Sequence, residues 1–104
     1  THETLVANGN TSGTISINGD NGSIQTFTLT GGITLNAANF SNMGNGQTVS
    51  LILTQDATGS RTLTSDLKYS GGNKTLSTAA NSIDTLTVTY DGTNYLAALV
   101  TGYA

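Results

Sequence analysis

Ile83-Asp84-Thr85-Leu86-Thr87-Val88-Thr89-Tyr90-Asp91-Gly92-Thr93-Asn94-Tyr95-Leu96-Ala97-Ala98-Leu99-Val100 is the stretch that decides the fold class. Leu86, Val88 and Tyr90 alternate with Thr85, Thr87 and Thr89, the two-residue period of a strand with one buried face. The branched Cβ of Thr suits a pleated surface. Asp91-Gly92-Thr93-Asn94 makes a short loop, and Asp-Gly between apolar strands is a strong hairpin signal. Tyr95 to Val100 then returns alongside the first strand.

Working outward, turn residues divide the chain at short intervals. Thr4 to Ala7 reads as an edge strand ended by Asn8-Gly9-Asn10, and Thr14 to Ile17 as a second strand. Ile24 to Thr30 alternates Phe27 and Leu29 against Thr26, Thr28 and Thr30, and Gly31-Gly32 separates it from a short strand at Ile33 and Leu35. Asn36 to Phe40 predicts a single helical turn. Val49 to Thr54 is the most apolar strand and belongs at the sheet centre. Arg61 to Ser65 returns after the turn at residues 56–60, and Leu67 to Ser70 and Thr75 to Ser77 flank Gly71-Gly72-Asn73. About eight short strands at this spacing predict one all-β domain over residues 1–104, an antiparallel β-sandwich of jelly-roll-like form. The absence of a repeat of fixed period argues against a solenoid or β-helix.

Composition narrows the function classes. The chain holds 20 Thr, 10 Ser, 11 Asn and 13 Gly among 104 residues, over half its length, which fits many short strands joined by tight turns. Its large apolar residues supply one thin core. Only Arg61, Lys68 and Lys74 are basic and the net charge is −3, so no patch can neutralise a phosphate backbone and nucleic acid is a poor partner. Scarce charge and no Pro leave the sheet edges without their usual guards, which points to edges hidden by closure, twist or a neighbouring subunit. No apolar run approaches the roughly 20 residues of a membrane-spanning helix. Without Cys there is no disulfide, and Thr1-His2-Glu3 is not a signal peptide.

A search for chemistry finds no catalytic pair. The sole His, His2, lies beside the terminus and reads as a solvated residue rather than the base of a nucleophilic site. Of the acids Glu3, Asp20, Asp56, Asp66, Asp84 and Asp91, three (Asp20, Asp56, Asp91) sit in turns, where Asp bonds its own backbone. One His and no Cys cannot build a zinc site. Asn18, Asp20 and Asn21 are oxygen-rich but lack the spacing of a calcium loop. No metal or cofactor is expected. Thr at every second position of 26–30 and 85–89 resembles the array of an ice-binding solenoid, though an amphipathic strand needs the same pattern. Tyr69, Tyr90, Tyr95 and Tyr103 are available to sugars, and cross-strand packing explains Tyr90 and Tyr95 equally well.

Gln47 to Thr64, QTVSLILTQDATGSRTLT, resembles a module of tailed-bacteriophage virion proteins in which an LTQD strand end precedes a Gly-containing turn and an R-T-hydrophobic-T strand. The similarity continues through Leu67-Lys68-Tyr69-Ser70-Gly71-Gly72, through residues 75–84 and through Tyr90 to Tyr95, with Phe27 to Gly31 matching an earlier strand. Ser65-Asp66 stands where the family often has Trp-Pro, and Tyr69 where it has Trp. The resemblance implies a non-enzymatic module of tail fibres, spikes or capsid surfaces, commonly homotrimeric, and carries over no catalytic residue.

These readings converge on a virion surface protein. Read as a whole small protein without coiled-coil or shaft, the chain is expected to be a capsid-decoration (cement) subunit contacting the major capsid protein. The alternative is a tail-fibre or spike module binding host glycans. Tyr69, Tyr90, Tyr95, Leu96 and Leu99 are the candidates for assembly or ligand contact.

Overall fold

The computed structural model describes residues 3–103, so the reading of His2 lies outside the described residues. Nine strands follow one another: β1 (Leu5–Thr14), β2 (Ile17–Asn18), β3 (Ile24–Thr34), β4 (Phe40–Ser41), β5 (Thr48–Gln55), β6 (Leu63–Thr64), β7 (Lys68–Tyr69), β8 (Ile83–Tyr90) and β9 (Tyr95–Tyr103). The expected helical turn is present as a 3₁₀ turn over Ala37–Asn39, and a second lies at Ser70–Gly72. The all-β class and its sandwich-like layering agree with expectation. The large sheet runs in the order β1-β3-β5-β8-β9-β7, with β6 also on β3, and β2-β4 form a small second sheet.

Strand direction differs from the antiparallel expectation. The predicted β8–β9 hairpin is there, antiparallel, and β8 also pairs antiparallel with β5. In the N-terminal half, however, β1, β3 and β5 are parallel, Leu5 beside Ile24 and Ile24 beside Ser50. β2 and β4 pair parallel at Ile17–Phe40, and Thr34 lies between Thr14 and Thr64. The chain therefore makes three stacked passes, the arrangement that the missing repeat argued against. The repeat is invisible because the step from Leu5 to Ile24 is shorter than that from Ile24 to Ser50. Equivalent positions also differ in side chain, as with Ile17 and Phe40.

Two predicted breaks are features inside strands. Asn8-Gly9-Asn10 is a bulge, marked by a register shift between Ala7 and Asn10 and a Gly9 φ of 69°. Gly31-Gly32 continues β3, because a Cβ on Gly31 would lie 2.9 Å from that of Ser12 on β1. Glycine there serves close strand approach, not a turn.

Phe27, Leu29, Ile33, Val49, Leu51, Leu53, Leu86, Val88 and Ala97 point inward from the large sheet onto Ile15, Ile17, Leu35, Phe40, Leu67 and Leu76. These form one core, with Val49–Val88 and Leu51–Leu86 as its cross-strand centre. The inner positions of β5 are all fully or almost fully buried, which confirms its central place.

Candidate functional site

The alternation that turns those residues inward turns another set outward. β3 presents Ile24, Thr26 and Thr28; β5 presents Thr48, Ser50, Ile52 and Thr54. β8 presents Ile83, Thr85, Thr87 and Thr89, and β9 presents Leu96, Ala98 and Val100. Register sets these side by side: Thr26–Ile52–Thr85–Val100 is one row, Ile24–Ser50–Thr87–Ala98 another. Leu5 extends the second row from β1. Tyr103 joins the same face, its Oη 3.2 Å from Thr85 Oγ1.

None of these outward residues carries a charge, and the one charge beside them is Lys68, paired with Leu96 at the β7 edge of the sheet. The large apolar side chains that remain exposed among the described residues are Leu5, Ile83, Leu96, Val100 and Tyr103, and all five lie on this face. Five strands about 4.8 Å apart and seven paired residues long give a projected area of roughly 550 Å². Parallel strands are normally covered on both faces, whereas here the chain covers only one. Thr48 and Thr89 bond each other at 2.8 Å, so part of the hydroxyl demand is met within the face.

The structure divides the predicted contact residues. Leu96 stands in the face, 44% exposed, whereas Leu99 on the same strand turns inward and packs on the core. Tyr90 and Tyr95 meet at 4.5 Å, and Phe40 stacks on Tyr95 at 4.6 Å. Both faces of the Tyr95 ring are thereby occupied and offer no platform to a sugar; burial and Tyr90 push its hydroxyl pKa up. Tyr69 packs against the core with its hydroxyl buried and unpartnered. Burial raises its pKa, and nearby Ser65 opposes this without meeting bonding geometry. Leu5, Ile83, Val100 and Tyr103 complete the face, although only Tyr103 had been noted, as a sugar contact. The available signal was the run of Thr at every second position of β3 and β8.

The acids serve the fold. Asp56 Oδ1 accepts from the amides of Thr58 and Gly59, and its carboxylate pairs with Arg61 at 2.8 Å. The Arg61 side chain, ahead of these amides, holds the Asp56 pKa below the usual carboxylate value, and the amides of Asn94 and Thr93 do so for Asp91. Asp84 is buried and accepts from Ser77 N, Ser77 Oγ and Gly102 N. Asn18 Oδ1 accepts from Asp20 N and Asn42 Nδ2, the bonds of a turn. The described residues hold no group of three or more His, Cys, Asp or Glu side chains placed to bind a metal.

Beside Asp56, Gln55 explains the resembling LTQD…GxRT stretch physically. It is buried, and its Nε2 donates to Arg61 O and Ser77 O at 2.9 Å while Oε1 accepts from Arg61 N at 3.0 Å. Gln55 and Asp56 thus fix the turn that delivers Arg61, which is a scaffold rather than a reaction centre.

No curated protein and no solved structure matches the chain. A protein-family model described as "Putative phage tail fibre C-terminal domain" matches residues 8–95. With most of its length so matched, the chain belongs to this family of phage tail fibre domains, a structural component of the virion that associates with other virion proteins.

Proposed function

We propose that the chain is a single non-enzymatic module at the C-terminal end of a tail fibre, assembling with copies of itself through the Thr-rich outer face, whose charge is limited to Lys68 at the β7 edge. The observation that carries this reading is the placement of all five exposed large apolar residues on that face. Burying such a surface is favoured by roughly 25 cal/mol per Å² of apolar area. A closed ring of identical subunits hides it without leaving an open growth surface. A homotrimer is the assembly that the sequence resemblance implies. Family membership supports the tail over the capsid-decoration role expected first.

Solution mass by light scattering tests the assembly. The protein is expected to be trimeric, and Val100→Lys, which places a charge at an exposed apolar position of the face, is expected to yield a folded monomer. A monomeric wild-type protein at micromolar concentration would overturn the assembly reading. Cryo-EM of the phage particle tests the location, because density on the capsid lattice instead of the fibre would return the chain to decoration.

A further inference from the structure

With both faces of the Tyr95 ring occupied, a concave surface with room for a ligand lies elsewhere. A groove of about 280 Å³ runs between β6 and the extended segment 74–78, lined by Arg61, Thr62, Leu63, Lys74, Thr75, Leu76 and Thr78. That is close to the roughly 300 Å³ at the lower end of small-molecule sites, room for one ring-sized ligand. Two of the three basic residues of a chain with net charge −3 meet here.

The groove is held open by the fold. The Gln55 amide bridges its two walls, bonding Arg61 O on one side and Ser77 O on the other. Ser60 N donates to Thr78 O at 2.8 Å, and a Cβ on Gly59 would lie 2.6 Å from that oxygen, so the turn is seated tightly on the opposite wall. Arg61 uses Nε and Nη2 on Asp56, which fixes its guanidinium and offsets its charge. Lys74 is exposed and uses one of its three Nζ donors on Ser65 O at 2.8 Å. The groove therefore carries about one uncompensated positive charge, on a positioned lysine, beside three Thr hydroxyls and an apolar floor of Leu63 and Leu76.

We propose that this groove is a subsite for one sugar residue bearing an acidic group, a carboxylate or a phosphate. The C–H face of a pyranose packs on Leu63 and Leu76, its hydroxyls meet Thr62, Thr75 and Thr78, and the acidic group meets Lys74. The proposal rests on the reading of the chain as a tail-fibre module, but not on its assembly state. Because the walls are preformed, little ordering opposes binding.

Saturation-transfer NMR with methyl β-D-glucuronide, glucose 6-phosphate and neutral methyl β-D-glucoside tests it. At least one acidic sugar is expected to bind with millimolar affinity, at least fivefold tighter than the neutral one and more weakly as salt is raised. Lys74→Gln, an exposed substitution, is expected to lower that affinity at least fivefold with an unchanged fold, while Val100→Lys leaves it intact. A response to only one acidic sugar supports the site and names its acidic group. Equal response to the neutral sugar, no response to any sugar, or binding that survives Lys74→Gln would overturn the subsite. Light scattering and particle location are separate readouts, so its failure leaves the fibre reading standing.

Discussion

Replacing Gln55 by Leu tests whether one buried amide holds the C-terminal half of the fold to the stacked half. Gln55 is 3% exposed, and its three bonds tie strand end β5 to Arg61 and to Ser77. Leucine keeps the apolar bulk and removes every bond, leaving the Arg61 N–H and two carbonyls to find water or nothing. At about 1 kcal/mol for each lost bond, Gln55→Leu is expected to cost about 3 kcal/mol. A domain of this size is stable by only about 5–15 kcal/mol, so the loss is a large fraction of the total. It corresponds to a fall in Tm of roughly 12–24 °C. Gln55→Glu is expected to be worse at neutral pH, because it aims a carboxylate at the Arg61 and Ser77 carbonyl oxygens. Urea unfolding of both variants, with unchanged m to show that only stability moved, measures the effect. A Leu variant within about 0.5 kcal/mol of wild type, or a Glu variant more stable than Leu at pH 7, would refute the bridge.

Two further outcomes follow from polar groups. Tyr69→Phe removes a buried hydroxyl without a partner and is expected to leave stability unchanged or raise it by up to about 1 kcal/mol in urea unfolding. Because burial raises the Tyr69 pKa above 10.0, its contribution is present below pH 10 and lost as pH rises further, so the variant should resist alkali better than wild type; Tyr95, shifted the same way, keeps some alkaline sensitivity in both. At the acid end, Asp56 and Asp91 have pKa values lowered from 3.8. Their contribution is present above pH 3.8 and lost as pH falls through the lowered values, so unfolding midpoints should hold from pH 7 to about pH 4 and drop below it, with Asp56→Asn flattening the drop.

The parts of the fold that were legible in the sequence are local. Thr85 to Thr89 alternate with Leu86 and Val88 whatever their neighbours are, and Asp91-Gly92 closes a hairpin by its own backbone preference. Strand direction is not local. Nothing in Phe27 or Leu29 says whether the neighbour across the sheet, Leu53 or Gln55, runs with it or against it. Gly9 and Gly31 show the same limit, since a glycine that permits a bulge or a close approach looks in sequence like one that permits a turn. Tyr90 and Tyr95 were legible as a cross-strand pair, but their union with Phe40 is a contact between residues far apart in the chain, which no local pattern announces.

The outer face was illegible for a further reason: each of its strands taken alone is an ordinary amphipathic strand. Only register converts scattered Thr, Ile and Val residues into one surface, and only then does the scarcity of charge, with Lys68 at the β7 edge, become a property of a place rather than of a composition. Threonine suits such a place physically. Its hydroxyl keeps the free subunit hydrated and its methyl adds apolar area when the face is covered. A pair such as Thr48–Thr89 meets part of its own bonding demand, so covering it strands fewer polar atoms than covering serine or asparagine facing water. A face built this way would tolerate both exposure in a free subunit and burial in the proposed assembly. Charged guards of the usual kind would protect the free subunit and forbid the assembled one. With Lys68 at its β7 edge as the charge beside it, the rest of the face is left open to the second copy of the chain that the proposed assembly requires.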